Sequence, residues 1–291
     1  MNIHLVTGTA SPVYLQLFRQ SLRKYADYPY SLHIIADNGT PVEELDPPMG
    51  SMCSYLTVTN LGKGFHGVGH NWNLGIEKSV GADWVGILND DIMFSEHWLS
   101  RLVEYLEKHP TLGAVSPTWH WRGVPAIEGL SPVEAWKAVE PWLESYSSAA
   151  LSYGQTNAAQ ADYGLQGCFF FLNMKALEDM KGFEHCLEPH PGLFDETTFA
   201  GGNYEDCDML MRLNRCGYDA QITHSCALHH AGSQTVARTD VRAELGNFPV
   251  LNKPKFFKKW GLEHRLGDQF MVHNSVLILN GTDEFPKRSI K

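Results

Sequence analysis

Apolar positions in the first half of the chain fall into short unbroken runs separated by helix-spaced stripes. His4-Leu5-Val6-Thr7 stops at Gly8, and a second run from Ser31 to Ala36 ends at the turn signal Asp37-Asn38-Gly39. Tyr55 to Val58 leads into the glycine-rich stretch Gly62 to Gly69, and Trp84 to Leu88 delivers Asn89-Asp90-Asp91. Between the first two runs, Ser11-Pro12 reads as a helix N-cap with proline at the first helical position, followed by Leu15, Phe18, Leu22 and Tyr25 at helical spacing. A second helix is predicted over 71–80. A third is predicted behind Ser95 as cap, with Leu99, Leu102, Val103 and Leu106 on one face. Strands apolar on both faces and alternating with helices predict an α/β fold with a mostly parallel central sheet flanked by helices. Ligands of such sheets sit beyond the carboxyl ends of the strands, where Asp37 and Asp90-Asp91 fall.

The rhythm breaks from Trp119 to Gly164, a stretch rich in tryptophan, tyrosine and proline that reads as a helical or loop insertion. It resumes with a strand at Cys168 to Leu172 and a helix around Met174 to Met180. After Pro249 come Lys253, Lys255, Lys258 and Lys259 interleaved with Phe256, Phe257 and Trp260, a pattern expected of a solvated or membrane-skimming basic face, with a nucleic-acid acceptor as the lesser alternative. A last apolar run covers Val276 to Leu279.

Composition narrows the function. Of 291 residues 43% are hydrophobic and 19% charged, enough for one large domain or two. Lys plus Arg is 23 against 33 Asp plus Glu, a net charge of −10. That excludes a general polyanion binder and makes nucleic acid a poor partner, since counterion release needs clustered positive charge. An acidic protein that holds an anionic nucleotide needs a metal ion or helix N-termini to offset the repulsion. No run of about 18 apolar residues occurs, so no transmembrane segment is expected. The start reads as a strand rather than a secretion signal, and the six cysteines form no C-x-x-C pair, so reduced core thiols in the cytoplasm are expected.

Three constellations can carry chemistry. Asn89-Asp90-Asp91 sets two carboxylates after a buried strand, where hard oxygen ligands suit Mg²⁺ or Mn²⁺ bridging phosphates; a plain turn and helix cap is the alternative. Tyr204-Glu205-Asp206-Cys207-Asp208 opens a helix that ends with Arg212, Arg215 and Gly217. Acids in a first turn serve capping, and Asp208 is spaced to pair with Arg212, but three exceed that need, leaving Glu205 or Asp206 as a base. His229-His230 sit near a strand end on opposite faces, so one of the two can reach a shared site. The spacing excludes a zincin helix.

In this order, with Phe194-Asp195-Glu196 between, the three signals resemble the inverting glycosyltransferases of family 2, which have the GT-A fold, a Rossmann-like α/β sheet. The likeness is nearest to the rhamnosyltransferase-like bacterial branch. It is carried by Ala36-Asp37-Asn38-Gly39, Gly64-Phe65 through Asn73-Leu74-Gly75, Ile87 to Asp91, Gly167 to Phe170, Lys181-Gly182-Phe183, Tyr204 to Asp208, His229 to Ser233 and Phe257 to Gly261. The first loop, Thr7 to Ser11, departs from the family's Pro-x-x-Asn wording.

The resemblance implies a domain over 1–265, with 119–164 as an insertion on the acceptor side and 266–291 as an extension. It implies donor contacts at Thr7, Asp37, Asn71, Asn73 and Asp90. It makes Asp91 and His229 ligands of Mn²⁺ or Mg²⁺ (His230 being the alternative), Asp206 the base, and Glu205 an acceptor-orienting acid. The partners it implies are a UDP-, dTDP- or GDP-sugar and a hydroxyl acceptor such as a glycan or lipid-linked sugar. A sugar nucleotidyltransferase would use paired aspartates too, but needs basic residues after the first strand, and Thr7 to Ser11 has none. A carbohydrate-binding protein would explain the tryptophans without needing the acids.

Overall fold

The computed structural model describes residues 1–42, 49–120, 125–153, 169–181, 192–232 and 239–260. The apolar run at Val276 to Leu279, the 266–291 extension and the end of the insertion lie outside them. Eight strands form one sheet: β1 Ile3–Thr9, β2 Tyr30–Ala36, β3 Cys53–Asn60, β4 Trp84–Asn89, β5 Ile92–Met93, β6 Leu112–His120, β7 Phe169–Asn173 and β8 Asp219–His230. Their order is β3-β2-β1-β4-β7-β6-β8-β5. β7 runs antiparallel to both β4 and β6, and β5 antiparallel to β8; every other pairing is parallel. The carboxyl ends of β1, β2, β4 and β8 therefore meet at one edge.

The helices are α1 Pro12–Tyr25, α2 Val68–Lys78, α3 Trp98–Lys108, α4 Pro132–Tyr153, α5 Met174–Lys181, α6 Glu205–Arg215, α7 Thr239–Leu245 and α8 Phe248–Lys259. Ser11 caps α1 as its sequence predicts, accepting from Tyr14 N at 3.5 Å. Ser95 does not cap α3. Its hydroxyl donates to the Ala227 carbonyl, and the cap is His97, with φ of 57°. The cause is β5, a two-residue strand between Asp91 and Ser95 too short to leave a periodic signal.

One face of the sheet packs Val6, Ile87 and Phe170 under α2, α5, α6 and α8, with Trp72, Leu213 and Phe256 from the helices. The other packs Leu5, Leu88 and Phe171 under α1 and α3, with Phe18, Leu99 and Leu102. Each fully buried side chain of this size contributes about 1.5–3 kcal/mol. Gly75 matters here, because a Cβ at that position would lie 2.0 Å from Val6 Cγ1. Its absence lets α2 settle directly on β1.

The described part of the insertion is α4. It opens with a reciprocal Ser131–Glu134 cap (Ser131 N to Glu134 Oε2 is 2.9 Å) and packs Ala135, Val139 and Leu143 against Leu17 of α1 and Met93 of β5. No described helix is long and apolar enough to cross a membrane. Cys207, Cys216 and Cys226 are buried and Cys53 is half-buried.

Candidate active site

The end of β4 turns at Asp90-Asp91, both only 5% exposed. Thr9, the last residue of β1, donates its hydroxyl to Asp90 Oδ2 at 2.6 Å, and its oxygen accepts from Ser11 N at 3.2 Å. The chain then enters β5, whose Ile92 and Met93 pair with His230 and His229. That pairing hydrogen-bonds Ala231 N to the Asp91 carbonyl at 2.9 Å and sets His230 Nε2 3.1 Å from Asp91 Oδ1. His229 lies on the opposite face of β8, its ring 4.9 Å from that of Trp142 on α4. The imidazole brought to the carboxylate is thus His230, the alternative of the pair. The alternation of side chains along a strand requires that only one of the two be there. Tyr14, in the first turn of α1, has its hydroxyl pKa pushed up to about 12 by burial and by the negative charges of Asp91 and Asp90.

At the end of β2 the Asp37 carboxylate is buried and already fully engaged. It accepts from Asn38 N at 2.8 Å, His66 N at 3.1 Å, His66 Nδ1 at 2.7 Å and Asn71 Nδ2 at 3.0 Å. It shapes the glycine-rich loop by these bonds. A cavity of about 340 Å³ opens beside this turn, lined by Gly39, Thr40, Pro41, Val42, Asn60 and Gly62. Asn71 fits beneath β1 because Gly8 has no side chain; a Cβ there would meet Asn71 Cβ at 2.9 Å. Asn71 Oδ1 is buried with no hydrogen bond among the described residues.

Two expected donor-binding residues have internal positions. Thr7 lies two residues inside β1 between Ile34 and Leu88 and is fully buried, so the residue of β1 that reaches the sheet edge is Thr9. Asn73 braces α2 to the Phe194-Asp195-Glu196 segment. It donates to Phe194 O at 3.0 Å and Glu196 Oε2 at 2.8 Å, and accepts from Phe194 N at 2.8 Å.

The acidic helix start is preceded by four consecutive residues of positive φ: Gly201 at 88°, Gly202 at 129°, Asn203 at 62° and Tyr204 at 76°. Glycine adopts such angles freely, whereas for Asn203 and Tyr204 they cost on the order of 1–3 kcal/mol each. The turn abuts the glycine-rich loop: Val68 N donates to Gly201 O at 3.3 Å, and a Cβ on Gly67 would sit 2.9 Å from Gly201 N. Beyond it Glu205 is buried in the core, and its Oε2 has no hydrogen bond among the described residues. Burial, reinforced by the charge of Asp206, pushes the Glu205 carboxyl well above its ordinary range, toward the neutral acid. Asp206 is half-buried and accepts from Cys207 N at 2.8 Å, within the first turn of its own helix. Asp208 is fully buried and pairs with Arg212 at 2.9 Å, the helix-face partner its spacing predicts.

Among the described residues no three His, Cys, Asp or Glu side chains converge to cage a metal. A cation shared with substrate phosphates needs only one or two protein ligands. Asp91 Oδ1 is buried without a hydrogen bond among the described residues and faces His230 Nε2, so this oxygen–nitrogen pair fits such a cation.

With this geometry in hand, the glycosyl transferase family 2 model matches residues 14–179, more than half of the chain, including Asp37, the glycine-rich loop and Asp90-Asp91. The chain belongs to that family. The match is to the family as a whole rather than to one branch. No curated protein matches the sequence.

Solved structures share the GT-A fold at low identity. TarS of S. aureus superposes with a TM-score of 0.53 and 16% identity over 80% of this chain, and the chain spans 37% of the TarS chain. GalNAc-T7, solved with UDP, GalNAc and Mn²⁺, gives 0.52 and 13% over 79% of this chain and 44% of its own. The mannosyltransferase PcManGT of Pyrobaculum calidifontis, in complex with GDP-Man and Mn²⁺, gives 0.50 and 14% over 96% of this chain and 68% of its own. The expected architecture, a mostly parallel sheet flanked by helices, is the one found.

Sequence reasoning missed Thr9 and His66. Thr9 carried no motif. His66 stood in the glycine-rich loop with nothing nearby in sequence to suggest that its partner is Asp37.

Proposed function

We propose that this glycosyltransferase moves a sugar from a nucleotide-sugar donor to a hydroxyl acceptor, with inversion at the anomeric carbon and with Mn²⁺ or Mg²⁺ bound. The observation that carries the reading is the Asp91–His230 pair at the edge where the ends of β1, β2, β4 and β8 meet. Asp91 Oδ1 and His230 Nε2 would hold the cation, whose charge would offset that of the nucleoside diphosphate. Thr9 fixes Asp90 beside it. The cavity next to Asp37 is of a size to seat the donor's base, with Asp37 acting through the loop it holds. Relatives of the same fold were solved with UDP, UDP-GlcNAc or GDP-Man, which supports a UDP-, dTDP- or GDP-sugar as donor.

Asp206 is the base. Its carboxylate takes the proton of the acceptor hydroxyl as that oxygen bonds to the anomeric carbon and the bond to the diphosphate breaks on the opposite side. Glu205, the acid expected to orient the acceptor, is buried and shifted toward the neutral form, so its part runs through the first turn of α6. In this reading helix α4 of the insertion serves the acceptor side, with Trp142 as the residue to test. The buried thiols support the cytoplasm as the place of action.

The test is a panel of UDP-, dTDP- and GDP-sugars with Mn²⁺, Mg²⁺ or EDTA, monitored for slow release of nucleoside diphosphate to water. One donor should be hydrolysed only when the cation is present. Hydrolysis of that donor at the same rate in EDTA would overturn the metal assignment, and hydrolysis of none would overturn the donor class.

A further inference from the structure

Helix α8 directs its polar side chains at one segment, the stretch from Leu193 to Asp208 that leads into α6. Asn252, 1% exposed, donates both amide hydrogens to backbone carbonyls, Ala200 O at 3.1 Å and Gly202 O at 2.7 Å. Its Oδ1 accepts from Lys255 Nζ at 3.1 Å, and that ammonium also donates to Thr198 O at 2.9 Å. Farther along, Lys259 Nζ lies 2.9 Å from Asp195 Oδ2 and 2.8 Å from Asp208 Oδ1, bridging the two buried carboxylates. Trp260 Nε1 donates to the same Asp208 oxygen at 3.0 Å, and Arg212 Nη2 donates to Leu193 O at 2.7 Å. At the start of α8 the Phe248 ring covers the turn closely enough that a Cβ on Gly201 would lie 3.0 Å from it.

The braced segment is the one that holds Gly201, Gly202, Asn203 and Tyr204 at positive φ. Left to itself, such a turn relaxes toward ordinary angles at Asn203 and Tyr204, and the first turn of α6 rotates with it. One amide gripping the carbonyls of residues 200 and 202 opposes that relaxation directly, since both carbonyls must stay turned toward α8.

We propose that Asn252 and Lys259 are positioning residues of the transfer reaction: they clamp the Gly201–Tyr204 turn and the first turn of α6, and so fix where the Asp206 carboxylate stands. The proposal rests on the reading of Asp206 as base. Neither side chain touches the reacting atoms. Asn252 makes its hydrogen bonds with residues 200, 202 and 255, so its loss leaves the contacts of β1, β2 and α1 in place.

Asn252→Asp keeps the shape of the side chain but turns two donors into an acceptor facing two carbonyls. Lys259→Met removes the bridging charge, and Lys259→Arg restores it. The probes are UDP-N-acetylglucosamine, GDP-mannose and dTDP-rhamnose with Mn²⁺ and water as acceptor. Asn252→Asp and Lys259→Met should lower kcat for the donor hydrolysed by about 10–100-fold, the scale of a misplacement of roughly 1 Å. Nucleoside-diphosphate affinity should stay within about twofold, and Lys259→Arg should recover most of the rate. In an Asp206→Asn background the same substitutions should change the rate by less than about threefold, because the group they position is gone.

Hydrogen exchange gives a reading independent of turnover. Amides of residues 201–208 should exchange faster in Asn252→Asp while those of α1 and β1 do not change. Losses that add in the double variants, or unchanged exchange over 201–208, would overturn the proposal. Full activity of Asp206→Asn would instead overturn the base assignment, and the exchange result would still judge the clamp. If Asn252→Asp does not fold, the Lys259→Met and Lys259→Arg pair takes its place in both measurements.

Discussion

Glu205 and Asp206 are adjacent in the chain, yet one lies inside the core under α6 and the other at its half-exposed start. Burial shifts Glu205 toward its neutral form, which cannot accept a proton, and the proposed base is Asp206. Asp206→Asn should therefore cut sugar transfer by about 10²–10⁴-fold, the usual scale for a positioned base, with donor and metal affinity near wild type by calorimetry. Glu205 also makes a stability prediction. An acid whose folded pKa lies above its ordinary 4.5 binds more protons folded than unfolded, so its contribution is present below about 4.5 and is lost as pH rises through the folded value. Asp206 and Asp208, the acids beside it, drive the shift the same way. Glu205→Gln should melt above wild type at pH 8, with the gap closing toward pH 5; a lower melting temperature at pH 8 would contradict the assignment. At the proposed metal pair, Asp91→Ala and His230→Ala should each remove Mn²⁺-dependent binding of nucleoside diphosphate in calorimetry. His229→Ala, on the opposite face of β8, should keep it.

Among the elements, β5 decides more than its two residues suggest. By pairing Ile92 with His230 it ties the end of β4 to the end of β8, which sets the carboxylate against the imidazole. The first three strands carry a polar line of their own: His4 Nδ1 lies 2.9 Å from His33 Nε2, and His33 Nδ1 lies 2.8 Å from Thr57 Oγ1. Burial, with smaller repulsion from His4 and Lys78, takes the His33 pKa down to about 4. A base depressed in this way favours the folded state fully above the ordinary 6.5 and loses that contribution as pH falls toward about 4. The melting temperature of the wild type should drop between pH 7 and pH 5, and His33→Gln should flatten that slope. Equal slopes would remove His33 as the cause. Helix α4 is anchored on α1 by Val139 and Leu143, so a point change tests its part better than a deletion that would strip α1. Trp142→Ala should leave donor hydrolysis within about threefold and raise KM for the acceptor, as expected of a recognition element on a rigid scaffold.

Across the whole molecule, Asp37 and Asp90-Asp91 stand at one edge of the sheet, while some other carboxylates are neutralised internally. Asp195 is an example: burial opposes its charge, but hydrogen bonds from Lys259 and Thr198 outweigh that and bring its pKa down to about 2. The lysine-rich tail expected to be a solvated face is therefore partly a brace, with Lys259 inside it. Features that depend on local pattern were legible in the sequence. Unbroken apolar runs read as β1, β2 and β4, Ser11-Pro12 as the start of α1, the acids and Gly217 as the two ends of α6, and Asp90-Asp91 as a strand-end pair. These follow from neighbours a few residues apart, where periodicity, capping and turn preference act. What joins distant stretches was decided only by the tertiary structure: His230 rather than His229 at Asp91, Thr9 rather than Thr7 at the sheet edge, Asp37 spent on His66, and Asn252 and Lys259 on the turn before Asp206. Strand register and helix docking fix those contacts, and one residue's shift in either turns a side chain to the other face.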